Sequence, residues 1–251
     1  MSVEVLTYSK EELLIAAAAR ELRDGDVVFV GIGLPNRAAT LAQQLHAPGA
    51  RLIYESGVYG AIPEKTPQSI GDPCLVVRAL AVQSMADLFL FYLQGGLIDV
   101  GFLGAAQIDK YGNLNTTVVG DYGRPKIRLP GSGGATEIAL LSKRVVVIMR
   151  QTLRHFPAKI DFVTSPGHRA RPRVDGTPPY GRGPTTVVTD MAVFGFSEES
   201  GEMEVLSLHP GVALATLRQN MGWEPRVAPA LSVTEPPSAT ELSAIRAQAT
   251  A

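Results

Sequence analysis

Glu55 stands where a short apolar run, Leu52-Ile53-Tyr54, ends and Ser56-Gly57 turns the chain. The run is too short for a helix, and Gly57, Gly60 and Pro63 stop any regular element behind it, so Glu55 is expected at the exit of a strand. In open α/β sheets that edge is where ligands gather. An ionisable side chain there is a candidate for chemistry, although a solvated or ion-paired glutamate fits the same position. Two glycine turns offer matching chemistry. Pro130-Gly131-Ser132-Gly133-Gly134-Ala135 precedes a helical stretch, residues 136–141, and its glycines can aim consecutive backbone N–H groups at an oxyanion or a carboxylate. Gly31-Ile32-Gly33-Leu34-Pro35-Asn36 lies between a β-branched run, 27–30, and a helical stretch, 37–45. It resembles a βα turn that cradles phosphate, with a plain tight turn as the alternative.

The elements that must position these groups alternate between strand and helix. Residues 9–22 read as a helix with Ser9 as N-cap, Glu12 as its capping-box partner and an apolar stripe through Leu13, Leu14, Ala17 and Ala18. Residues 51–55 form the second strand, and 57–72 a long Gly/Pro loop. A helical stretch, 84–94, capped by Ser84, leads to a strand at 97–103, and Lys110-Tyr111-Gly112-Asn113 predicts a sharp reversal. Residues 145–149 read as the most buried strand. Arg150, Arg154, Lys159, Arg169, Arg171 and Arg173 then make a basic stretch, which is either a solvated rim or a phosphate contact. A Pro/Gly loop at 172–184, a strand at 186–190, a hairpin of 191–196 with 203–208, and a short helix ending near Met221 follow. His209, before Pro210-Gly211, reads as a turn or capping residue. One α/β domain, residues 1–225, is expected, with 226–251 as an extended C-terminal arm carrying Pro229, Pro236 and Pro237.

The 251 residues carry a net charge of -1, so nothing in the balance of charge attracts nucleic acid or an anionic membrane. A single cysteine, Cys74, excludes an internal disulfide and a cysteine metal cage, and reads as a buried, inert thiol. His46, His155, His168 and His209 are not at metal-ligand spacing. No leader-like pattern or bilayer-length apolar run is present, which points to the cytoplasm.

Taken in order, six motifs carry a resemblance. They are Gly31-Ile32-Gly33-Leu34-Pro35, Glu55-Ser56-Gly57, Gly104-Ala105-Ala106-Gln107-Ile108-Asp109, Tyr111-Gly112-Asn113-Leu114-Asn115, Gly131-Ser132-Gly133-Gly134 and Asp161-Phe162-Val163-Thr164-Ser165-Pro166-Gly167. Together they resemble the β subunits of class I CoA-transferases, most of all the glutaconate CoA-transferase branch, over about residues 8–220. Many members carry Ser-Glu-Asn-Gly at the second motif; Glu55-Ser56-Gly57 is the form of the glutaconate branch.

The resemblance implies an open, mostly parallel sheet flanked by helices, and a ping-pong transfer of CoA from an acyl-CoA to an acceptor acid through a glutamyl-CoA thioester on Glu55. It implies Gly133 and Gly134 as backbone donors to the reacting oxygen, and Gly31, Gly33 and Asn36 at the mouth of the site against CoA. Tyr54, Ser56 and Gln107 are expected around the substrate pocket, with core packing the alternative for Tyr54 and Gln107. It further implies no metal, no permanently bound cofactor, and an obligate α subunit of similar fold in a heterotetramer or larger assembly. A decarboxylase or hydrolase on the same scaffold, with Glu55 as base or orienting group, is the alternative activity.

Overall fold

The computed structural model describes residues 7–168 and 183–250. In chain order the elements are α1 (Lys10–Ala19), β1 (Val27–Val30), α2 (Leu34–Leu45), β2 (Arg51–Tyr54), β3 (Val58–Ala61), β4 (Ala81–Val82) and α3 (Met85–Asp87), which runs into a π-helical turn, Leu88–Leu93. There follow β5 (Val100–Leu103), β6 (Gln107–Ile108), β7 (Leu114–Asn115), β8 (Val118–Gly120), β9 (Pro125–Arg128), α4 (Ala135–Leu141) and β10 (Arg144–Ile148). The chain closes with β11 (Pro184–Val188), β12 (Ala192–Phe196), β13 (Met203–Leu208), α5 (Leu214–Gln219), β14 (Arg226–Val233) and α6 (Ala239–Thr250).

Ten strands form one open sheet in the order β14-β13-β12-β11-β10-β5-β1-β2-β3-β4. The central five, from β11 to β2, are parallel, so their C-terminal ends share one edge. Antiparallel hairpins extend the sheet on both flanks, β2 with β3 and β4 on one side and β11 with β12 and β13 on the other. Among the described residues, no helix is long and apolar enough to cross a membrane.

Strand alternation divides the core in two. Val28, Val30, Leu52, Tyr54, Val100 and Phe102 pack with α1, α2 and α6, whereas Phe29, Ile53, Val145 and Val147 pack with α4 and the π-helical turn. All residues from Leu13 to Ala19 are buried, because α1 is covered by the sheet on one side and by helices on the other. Its capping box forms as the sequence predicts, Ser9 N donating to Glu12 Oε2 at 2.7 Å and Glu12 N to Ser9 Oγ at 3.2 Å.

Two stretches differ from expectation. The loop expected at 57–72 begins with β3, because Gly57, at φ 107°, folds the chain back so that Val58 pairs with Tyr54. Residues 226–250, within the expected arm 226–251, form a strand and a helix instead. β14 adds a parallel edge strand beside β13, and α6 lies on α1 and α2. Arg20 secures α6, its Nε and Nη2 donating to the two Glu241 oxygens at 2.9 and 2.7 Å and its Nη1 to the Glu235 carbonyl at 2.7 Å. The bidentate, half-buried geometry gives this pair more weight than an exposed one. Arg169, Arg171, Arg173 and most of the Pro/Gly loop lie outside the described residues, while Arg150 pairs with Glu11 at 3.5 Å.

His209 opens a turn, as expected, its carbonyl accepting from the Val212 N–H at 3.0 Å, but it is not a helix cap. Buried between strands, it donates from Nε2 to the Thr189 carbonyl at 2.7 Å, and its Nδ1 accepts from Thr234 Oγ1 at 2.9 Å. Ser207 Oγ, 2.6 Å from Thr234 Oγ1, completes the chain of hydrogen bonds. Burial favours the neutral ring, lowering its pKa from the ordinary 6.5 against weaker pulls from the Thr189 carbonyl and Asp190. Its contribution is therefore complete above about pH 6.5 and is lost as pH falls below that. Melting curves of the parent and of His209→Gln are expected to show a gap of about 1–3 kcal/mol at pH 7.5 that shrinks at pH 5. A gap independent of pH would contradict this role.

Candidate active site

The site forms at the shared C-terminal edge of the parallel strands. Register places Phe29 opposite Ile53 and Val30 opposite Phe102, so the residues leaving β1, β2 and β5 emerge side by side: Gly31, Glu55 and Gly104. Alternation then decides direction. Tyr54 faces α2, so Glu55, one residue on, faces the opposite layer, where α4 and the π-helical turn pack.

There the Gly134 N–H donates to Glu55 Oε1 at 3.1 Å. The contact exists because Gly134 has no side chain: a Cβ at that position would lie 2.5 Å from Glu55 Oε1 and 2.4 Å from Phe89 Cζ. Gly133, expected as a second donor, makes no such hydrogen bond; its φ of 47° shapes the turn that delivers Gly134.

Threonines hold this loop, and two of them, Thr116 and Thr136, stand outside the six sequence motifs. Thr116 Oγ1 donates to the Gly131 carbonyl at 2.8 Å, and the Gly131 N–H donates to the Thr116 carbonyl at 2.9 Å. Thr136 Oγ1, in the first turn of α4, donates to the Thr164 carbonyl at 2.8 Å and lies 2.7 Å from Ser132 Oγ. Thr164 Oγ1 accepts from the Thr116 N–H at 2.9 Å. A hollow of about 350 Å³ borders the same loop, lined by Gly104, Ala105, Thr116, Leu129, Ser132 and Ala135 among others.

The remaining expected site residues divide. Gly31 and Gly33 are at the edge, Gly33 exposed and capping α2 at φ 87°. Ser56 is in the Glu55 turn, its buried Oγ without a hydrogen-bond partner. Three others lie in the protein interior. Tyr54 is fully buried, its hydroxyl donating to Asn36 Oδ1 in a short hydrogen bond. Burial pushes its ionisation above the ordinary range, which keeps it a neutral donor. Asn36 is only 2% exposed, and its Oδ1 is taken up by that hydrogen bond. Gln107 is also buried: its Nε2 donates to Asp161 Oδ2 at 2.9 Å, and its Oε1 accepts from Asn115 Nδ2 at 2.7 Å and the Asp161 N–H at 3.0 Å. Its polar atoms already have protein partners.

The Tyr111–Asn115 and Asp161–Gly167 motifs are structural neighbours. Asp109 Oδ1 accepts from the Tyr111 and Asn113 N–H groups at 2.9 and 3.0 Å, and Asn113 Oδ1 accepts from the Gly167 N–H at 2.7 Å. Leu114 bridges to Ser165, which places Thr164 against the glycine loop. Cys74 is buried, and burial with the Asp72 carboxylate beside it raises its pKa, leaving an unreactive thiol.

Because one of the three atoms that crowd Gly134 belongs to the Glu55 carboxylate, a methyl group there must be felt differently once that carboxylate is gone. Gly134→Ala is expected to cost about 1–3 kcal/mol in denaturant unfolding, and less in a Glu55→Ala background. Equal costs in the two backgrounds would contradict the contact.

Residues 12–220 match the Coenzyme A transferase family. The chain is 48% identical over 243 residues to the B subunit of 3-oxoadipate CoA-transferase from Pseudomonas knackmussii, covering 96% of this chain and 93% of that protein. It is 34% identical to the B subunit of glutaconate CoA-transferase from Acidaminococcus fermentans, covering 91% and 88%. Among solved structures, that organism's glutaconate CoA-transferase superposes with a TM-score of 0.87 at 33% identity, covering 96% and 94%. The decarboxylase AibA/AibB superposes with a TM-score of 0.82 at 27% identity, covering 96% and 95%. The strand order, the glutamate at the exit of β2 and these likenesses agree: the chain belongs to the coenzyme A transferase family, within its B-type subunits.

Proposed function

We propose that Glu55 is the nucleophile of this transferase and that the chain works with an A-type subunit of similar fold on a dicarboxylic acyl-CoA. One Glu55 oxygen attacks the carbonyl carbon of the donor thioester, the C–S bond breaks, and CoA leaves as thiolate, forming a mixed anhydride. The thiolate then attacks the glutamyl carbonyl, the donor acid departs as carboxylate, and a glutamyl-CoA thioester remains. The acceptor carboxylate reverses both steps and regenerates Glu55. Coenzyme A enters as substrate rather than as a resident cofactor, and the cytoplasm is the setting where acyl-CoA would be met.

The observation that carries this reading is the Gly134 N–H on Glu55 Oε1. When thiolate attacks the glutamyl carbon, negative charge develops on that side-chain oxygen, where a backbone donor already stands. A donor removed by a mutation at such a position typically costs about 10²–10³ in rate. The choice of a dicarboxylic substrate follows the names of the two relatives at 48% and 34% identity. The need for a partner follows from those relatives being B subunits of larger enzymes and from a strongly apolar surface. Val76, Val77, Leu80, Val82, Met85 and Phe91 are between 47% and 65% exposed. They flank Gln83, whose N–H donates to the Gly57 carbonyl at 3.0 Å, so this surface borders the Glu55 turn.

Co-expressed with its A-type partner, Glu55→Ala is expected to lose at least about 10³-fold in transfer of labelled CoA to a second acid while retaining acyl-CoA binding. Glu55→Asp, which withdraws the carboxylate by one methylene, is expected to lose about 10²-fold. Transfer near the parent rate in either variant would contradict the reading, and acyl-CoA consumption without CoA reaching the acceptor would favour hydrolysis or decarboxylation.

A further inference from the structure

We propose that Phe89 is a positioning residue for Glu55, its ring confining the carboxylate to the conformation that meets the Gly134 N–H. The inference rests on the reading of Glu55 as nucleophile. Phe89 Cζ and Glu55 Oε1 both lie within 2.5 Å of the point where Gly134 would carry a Cβ, so ring edge and carboxylate share the space that glycine leaves open. The edge of an aromatic ring carries partial positive charge, which suits a neighbouring anion, and the ring's bulk keeps water from replacing the backbone donor.

Phe89 is itself held firmly. Its ring meets Phe29 of β1 edge-on, with centroids 5.5 Å apart and planes at 64°. Leu88 and Leu93 bury the two ends of its turn in the core. The turn is wide: Gln94 N donates to the Phe89 carbonyl at 3.0 Å and Leu97 N to the Tyr92 carbonyl at 2.8 Å, both spanning five residues. Such π-helical turns are costly and concentrate at functional sites. Here the wide turn brings one aromatic side chain to the carboxylate while its neighbours Leu90 and Phe91 remain exposed.

The test is single-turnover formation of the glutamyl-CoA thioester by the chain assembled with its A-type partner, over a range of acyl-CoA concentrations. Phe89→Ala is expected to slow formation by about 10²-fold, with the half-saturating acyl-CoA concentration changed by less than about threefold. Phe89→Leu, which keeps the core filled but removes the ring edge, is expected to slow formation by about tenfold, and it carries the test should the alanine variant fail to assemble. A parent rate in Phe89→Leu, or a loss expressed wholly in the half-saturating concentration, overturns the proposal. Absence of any glutamyl adduct in the parent would instead overturn the nucleophile reading.

Discussion

A single backbone hydrogen bond, from Gly134 to the Glu55 carboxylate, sets the demands that the surrounding structure meets. A carboxylate is a weak nucleophile, so its orientation and its water have to be controlled before it can react. Control by a backbone N–H requires the loop carrying that N–H to approach more closely than any side chain permits, and Gly134 answers that requirement. The loop in turn requires fixing, and hydrogen bonds donated by Thr116 and Thr136, with Thr164 as acceptor, supply it. Each is an ordinary interaction worth about 1 kcal/mol, but their effect is geometric: they remove alternatives at the one place where a shift of an ångström would matter.

The sheet provides the frame. Parallel strands in register bring Gly31, Glu55 and Gly104 to one edge, and alternation along β2 sends Tyr54 into the α1/α2 layer and Glu55 into the other. One residue of slip in β2 would exchange them and bury the carboxylate in an apolar core, so the buried Tyr54–Asn36 hydrogen bond also serves to hold the register. The C-terminal strand extends the far edge of the sheet beside β13, and the C-terminal helix covers α1 and α2, held by Arg20 on Glu241.

Much of this is legible in the sequence, and the misses have physical causes. Glu55 and the glycine loop are visible because a strand exit and a run of glycines are local signals. Tyr54, Asn36 and Gln107 sit beside the motifs but turn into the interior, and proximity in sequence does not reveal that: Tyr54 needs strand alternation, Asn36 its place on a helix, and Gln107 the partners the fold brings to it. Helix α6 carries the same Ser-x-x-Glu capping signature as α1, Ser238 with Glu241, yet Pro229, Pro236 and Pro237 just upstream make the whole tail read as extended. Thr116, Thr136 and Phe89 leave no local pattern, and Thr164, though inside the sixth motif, gives no sign of its partners, because only the fold brings them together.

Covalent attachment of CoA to Glu55 is the event on which the proposed mechanism turns. Incubating the assembled enzyme with an acyl-CoA and no acceptor, reducing with borohydride, and sequencing the Glu55 peptide by mass spectrometry addresses it directly. The Glu55 side chain is expected to be recovered as the primary alcohol, the reduction product of a glutamyl thioester. An unmodified Glu55 in a preparation that still consumes acyl-CoA would contradict the mechanism.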